Sequence, residues 1–240
     1  MKTKASLRLT VIALILLVPC IFFASKLNTA NGVNNKNNLR LKSTNHMNKE
    51  LNIDPATTAL VLIDLQKGIV AMPTAPYTST EVISNSNLLL DAFHQHKAPA
   101  VIVRVAFNSD RSDALRPQVD EPLTSSANPL PEDWSTIVAE LKSDKNDIFI
   151  TKHQWGAFYG TELDLQLRRR GIKTIVIGGI ATNYGVESTA RDGYERGYQM
   201  IFAVNAMASR TATDHEFAVT RIFPRIGLVR TTDEILKALK

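Results

Sequence analysis

Six short apolar runs, each separated from the next by room for a helix or more, constrain this chain most. Thr58-Ala59-Leu60-Val61-Leu62-Ile63 is unbroken and ends at Asp64; Ala100 to Val105, Ile148 to Lys152, Thr174 to Gly178, Met200 to Val204 and Ile226 to Val229 follow. A strand covered on one face alternates apolar with polar residues, whereas one buried on both faces reads as a continuous apolar run. Strands of the second kind alternating with helical segments predict a parallel sheet with helices on both sides. The expected fold is α/β: a three-layer α/β/α, Rossmann-like domain on a mostly parallel six-stranded sheet.

The intervening segments fit that plan. Residues 81–96 read as a helix with Ile83, Leu89, Leu90 and Phe93 on its buried side. Thr161-Glu162-Leu163-Asp164 has the form of a capping box, opening a helix that Gly171 should stop. A helix from Val186 to Arg196 places Val186, Ala190 and Tyr194 on one face, and Thr213-Asp214-His215-Glu216 is expected to cap another. Residues 107–146 form a long Pro-containing insertion, with one helix expected near 133–142 and a role as lid or oligomer contact.

Charge divides the chain. Residues 1–50 hold eight of the 28 Lys/Arg and one of the 23 acids, so the rest is nearly balanced and gives no basis for nucleic-acid binding. Lys2, Lys4 and Arg8 precede an apolar run of 16 residues from Leu9 to Ala24, the order of an export signal. Residues 1–25 are therefore expected to be a signal peptide or an N-terminal membrane anchor, the only contact with a membrane, with the domain outside the cytoplasm. Residues 26–52 (Asn-rich, without apolar period) are expected to be a disordered linker, and 53–240 the folded domain. The single cysteine, Cys20, lies in the apolar run, so the domain has no thiol for covalent catalysis or metal binding.

In an open parallel sheet all carboxyl ends meet along one edge, where ligands bind. Asp64, Lys152 and the loop Gly178-Gly179-Ile180-Ala181-Thr182-Asn183-Tyr184-Gly185 each follow a strand and should meet there. Buried ionic groups are costly unless they pair or do chemistry; on spacing alone, a structural ion pair and a catalytic pair stand equal. The loop runs into a helix start, so its N–H groups can stabilise an anion.

Val61-Leu62-Ile63-Asp64-Leu65-Gln66, Thr151-Lys152, Ala157-Phe158-Tyr159-Gly160-Thr161 and Gly179 to Val186, continuing through Thr189-Ala190-Arg191-Asp192, resemble the signature segments of the isochorismatase-like hydrolase superfamily. The likeness covers roughly residues 55–236. Members of the cysteine-hydrolase type use an Asp–Lys–Cys triad. The resemblance assigns Asp64 and Lys152 to the first two places and puts Gly185 where the cysteine would stand. Nicotinamidases also carry an Asp-x-His metal site after the first strand, but residues 65–93 contain no histidine. No metal or organic cofactor is expected.

The isochorismatase branch also lacks the cysteine and hydrolyses a vinyl ether, releasing pyruvate. That reaction needs a general acid and no covalent nucleophile. With that precedent Asp64 is expected to be the general acid/base and Lys152 its electrostatic partner and the orienter of a substrate oxygen. The N–H groups of Ala181 and Gly185 form the anion pocket, and a non-proline cis peptide before Ala181 aims one of them. Burial would raise the Asp64 pKa and Lys152 would lower it; sequence leaves the balance open. Two alternatives stand beside a small-metabolite hydrolase: a homologue that binds without turnover, and an amidase using bound water. The resemblance also implies a homo-oligomer.

Around this centre Gln66 is expected to bond substrate or the carboxylate, or to make an ordinary loop hydrogen bond. Trp155, Phe158 and Tyr159 are suited to walling a small organic ligand, with at least one left to the core. Asn183 and Tyr184 flank the pocket and are expected to touch substrate, and Arg104 is expected in a structural ion pair rather than on a substrate carboxylate. His153, next to Lys152, should point to the opposite side.

Overall fold

The computed structural model describes residues 51–121 and 129–240. The expectations for residues 1–25 and for all but the end of 26–52 lie outside the described residues. Among the described residues no helix is long and apolar enough to cross a membrane.

Strands Thr58–Ile63 (β1), Ala100–Val105 (β2), Ile148–Lys152 (β3), Thr174–Ile180 (β4), Gln199–Ala208 (β5) and Gly227–Arg230 (β6) form one sheet in the order β3-β2-β1-β4-β5-β6. Every neighbouring pair is parallel. Helices are Lys67–Val70 (α1), Ser79–Gln95 (α2), Leu163–Arg169 (α3), Glu187–Glu195 (α4), Ala212–Phe217 (α5), Phe223–Ile226 (α6) and Thr232–Ala238 (α7). Alternation along β1 explains the layers: Leu60 and Leu62 pack with Leu89, Leu90 and Phe93 of α2 and Ile235 of α7. Val61 and Ile63 face the other way, onto Leu167 of α3, Ala190 of α4 and Phe223 of α6.

The order creates a switch point. The chain runs from β1 outward through β2 to β3, then returns to lay β4 on the other side of β1. Adjacent crossovers diverge there and leave a crevice at the carboxyl ends of β1 and β4. Gly179 lets the two strands lie together: its φ is 120°, and a Cβ built on it would fall 2.1 Å from the Ile63 carbonyl oxygen.

Several local expectations are corrected. The insertion holds no helix near 133–142. Instead the carbonyls of Trp134 and Thr136 accept from the N–H groups of Gly68 and Lys67, and Ile137 forms an antiparallel bridge with Gln66. This stretch satisfies the backbone leaving β1, which a helix could not. The Thr161 hydroxyl accepts from Leu163 N–H, while Asp164 accepts from the Tyr198 hydroxyl at 2.7 Å, so no capping box closes. The cap of α5 is Thr211, which accepts from Asp214 N–H, and not the 213–216 segment. On α4 the buried face is Thr189, Ala190 and Gly193; Tyr194 is half-exposed. A single π turn at Thr182–Val186 precedes α4 and rotates the face predicted from an unbroken helix.

Candidate active site

Asp64 is the first residue past β1 and turns the chain with a φ of 55°, a left-handed conformation that Asp tolerates better than most residues. The turn is held at both ends. Asp64 N–H donates to the Val103 carbonyl, and Gln66 N–H donates to that of Asp64. The Gln66 side chain completes the lock: its Oε1 accepts from Val105 N–H at 2.8 Å, and its Nε2 donates to the Val105 carbonyl at 2.9 Å and the Trp134 carbonyl at 3.3 Å. Of the two roles expected for Gln66, it therefore fills the loop hydrogen bond, with its whole amide bound to backbone.

Lys152 ends β3, two strands away from Asp64. Neighbouring strands lie about 4.8 Å apart, so only a long side chain crosses the end of β2. The Lys152 ammonium does so, meeting Asp64 Oδ2 at 2.8 Å and the Gln154 carbonyl at 3.0 Å. Asp64 is 5% exposed and Lys152 1%. Asp64 Oδ1 is equally buried and makes no hydrogen bond of its own, the Val105 N–H beside the carboxyl being bonded to Gln66 and exerting only a small downward pull on its pKa. Burial pushes the Asp64 carboxyl up from 3.8 to about 6, against the downward pull of Lys152. The balance left open by the sequence thus goes to desolvation.

Across the switch point, the 181–185 loop closes over this pair. The Ile180–Ala181 peptide is cis. The Ala181 carbonyl accepts from the N–H groups of Tyr184 and Val186, and the Gly185 carbonyl from the Thr189 hydroxyl. A Cβ built at Gly185 would lie 2.9 Å from Ile63 Cγ2 and 3.1 Å from Asp64 Oδ2. Position 185 is therefore in contact with the carboxylate, and the space a nucleophile needs is already filled. Trp155, half-exposed, meets the Tyr184 ring edge-on at 4.9 Å between centroids. Asn183 Oδ1 accepts from the Ser209 hydroxyl at 2.9 Å.

Asp64, Lys152, Ala181, Asn183, Tyr184, Gly185 and Trp155 thus come together at one edge. Phe158 does not. It is buried, stacked on Tyr198 at 5.9 Å with the Arg196 guanidinium over its ring, as the turn after Trp155 directs it into the core. Tyr159 is exposed. Arg104 is also exposed and donates to the Thr151 hydroxyl rather than pairing with a carboxylate. His153, exposed, bonds the Ala106 carbonyl. Sequence reasoning missed Ser209 and the buried pair Thr182–His215, because partners 26 and 33 residues apart leave no local pattern.

Among the described residues no group of three His, Cys, Asp or Glu side chains is placed to hold a metal ion. A cavity of about 510 Å³ lies at the opposite edge, between Ile53, Lys173, Gln199 and Gly227, away from the Asp64–Lys152 pair.

The isochorismatase domain model matches residues 58–234. The chain belongs to the isochorismatase family. It is a hydrolase of that superfamily, as the motifs implied, with 50% identity to the isochorismatase family protein YwoC of Bacillus subtilis over 81% of this chain and 100% of the relative. An isochorismatase family protein from Burkholderia thailandensis superposes with a TM-score of 0.73 at 41% identity, covering 78% of this chain and 97% of the other. Ureidoacrylate amidohydrolase RutB of Pseudomonas savastanoi pv. phaseolicola is 30% identical over 62% of this chain and 69% of the relative.

Proposed function

We propose that this isochorismatase-family hydrolase cleaves a small enol ether by acid–base chemistry centred on Asp64, with no covalent intermediate on the protein. The observation that carries the reading is the buried Asp64 carboxyl, with Oδ2 on Lys152, Oδ1 unpartnered and a pKa near 6. A carboxyl poised there is protonated in a useful fraction near neutrality and can donate. Its proton goes to the terminal enol carbon, and the ether oxygen stabilises the cation left behind. Water adds to that cation and returns a proton to Asp64. The hemiketal then breaks its C–O bond to release an alcohol and a carbonyl compound. Lys152 stabilises the carboxylate that exists between the two transfers. Trp155 and Tyr184 wall an unsaturated substrate, and the N–H groups of Ala181 and Gly185 face its anionic end. Export of the domain, expected from residues 1–25, separates it from cytoplasmic isochorismate, so other enolpyruvyl ethers are the first substrates to try.

The test is a pH profile on a panel of enolpyruvyl ethers, with released pyruvate read by a coupled reductase. With Asp64 as acid, kcat/KM is level below about pH 6 and falls about tenfold per unit above it. A rate that instead rises through pH 6 would sink the assignment. The likeness to RutB favours a second reading, hydrolysis of a small amide by water that the Asp64 carboxylate activates. That reading requires the rising profile and ammonia release.

A further inference from the structure

Beside the Asp64–Lys152 pair, a second buried polar link holds the wall of the site. Thr182 Oγ1 and His215 Nδ1 lie 2.9 Å apart, with both residues buried. Thr182 directly follows Ala181 and opens the turn that carries Asn183, Tyr184 and Gly185. His215 comes from α5, in a different part of the chain. Its ring is met edge-on by Tyr77 at 5.9 Å. The segment before Tyr77 is fastened to the end of β5 by reciprocal bonds between Ala75 and Ser209, and Ser209 in turn holds Asn183. Burial lowers the His215 pKa from 6.5 to about 4. The imidazole is therefore neutral near neutrality, and its bond to Thr182 buries no charge.

Resting on the Asp64-centred reading above, we propose that His215 is a positioning residue, which through Thr182 fixes the Ala181–Gly185 backbone against Asp64. Other anchors of this loop are different in kind. Asn183, itself only partly buried, holds it through the buried Ser209 hydroxyl, and Gly185 is tied to Thr189 within the same turn and helix. Among the described residues, only His215 connects the first residue after Ala181 to a separate helix through two buried side chains. Position 185 lies against Asp64 Oδ2, so a small rotation of the loop changes the distance between the carboxyl and whatever the loop holds. Misplacements of this size act on turnover more than on binding.

The experiment compares His215→Phe, which keeps a ring but loses the bond, with His215→Asn, whose amide places a polar atom near that of Nδ1. Thr182→Val removes the bond from the other side and serves if His215→Phe does not fold. Two readouts are taken: amide hydrogen exchange across residues 181–187, and kcat and KM on the enolpyruvyl ether that the wild type turns over. His215→Phe and Thr182→Val should each speed exchange in that loop at least tenfold and lower kcat about ten- to hundredfold, with KM moving less than threefold. His215→Asn should recover most of both, and the double variant His215→Phe/Thr182→Val should be no worse than either single one. Unchanged loop exchange, or exchange that rises equally across β4 and β5, overturns the proposal. Exchange does not depend on turnover, so this inference is decided even where no enol ether is cleaved and the Asp64 reading has failed.

Discussion

Asp64→Asn is expected to lower turnover about 10²- to 10⁴-fold, the range for loss of a general acid, and to destabilise the fold at the same time. The stability cost follows from the Lys152 ammonium, which would remain almost fully buried opposite a neutral amide. Breaking a buried ion pair from one side costs about 3–5 kcal/mol. Lys152→Met should cost less, because the carboxyl it leaves behind already titrates near 6 and can take up a proton. The double variant should recover most of the stability and none of the activity. Urea denaturation of the four proteins at pH 7 and pH 5 checks this. For Lys152→Met the cost should shrink at the lower pH, whereas for Asp64→Asn it should not. The sign in the wild type is the same: the folded pKa of Asp64 lies above its ordinary 3.8. Its stabilising contribution is full below pH 3.8 and is lost as pH rises through about 6. Equal costs at both pH values for Lys152→Met would show that Asp64 does not take up the proton.

Gly185→Cys is expected to give no amidase and to damage the existing site. The added Cβ meets Ile63 Cγ2 at 2.9 Å, a branched methyl on a fully buried strand residue, and Asp64 Oδ2 at 3.1 Å. Overpacking of this kind costs about 1–3 kcal/mol. The carboxylate oxygen that bonds Lys152 must also give way, so turnover should fall at least tenfold. Gly185→Ala should show the same losses without a thiol, which separates crowding from chemistry. Ile63→Val retains Cγ2 and should not rescue either variant. Ile63→Ala removes it and should restore the room, at its own cost in core packing. Ammonia release from a panel of small amides by Gly185→Cys alone would show that only the nucleophile is missing, and would overturn the view that Ile63 and Asp64 fill its place.

Much of this was legible in the sequence for identifiable reasons. Runs such as Thr58–Ile63 and Thr174–Ile180 have to be buried on both faces, and buried parallel strands present their carboxyl ends together, so Asp64, Lys152 and the 178–185 loop meet from chain direction alone. Gly185 and the absence of a domain cysteine also came directly from the residues. The insertion departs from the helix expected of it because its backbone groups answer to the turn after β1, which no window within residues 133–142 contains.

Side-chain direction and available space were decided only by the tertiary structure. Trp155 and Phe158 are equivalent as aromatic residues three apart, yet the turn between them sends one to the site and the other into the core. Gln66 looks free to meet a ligand until β2 and the insertion occupy both ends of its amide. The protonation balance of Asp64 needs the depth of burial as well as the presence of Lys152, and burial comes from every layer around it. The same holds for Thr182 and His215, which are 33 residues apart and meet only where the turn after β4 packs on α5. Local pattern determines which strands form and where each ends; contacts between distant segments determine what the groups at those ends can touch and which protons they can hold.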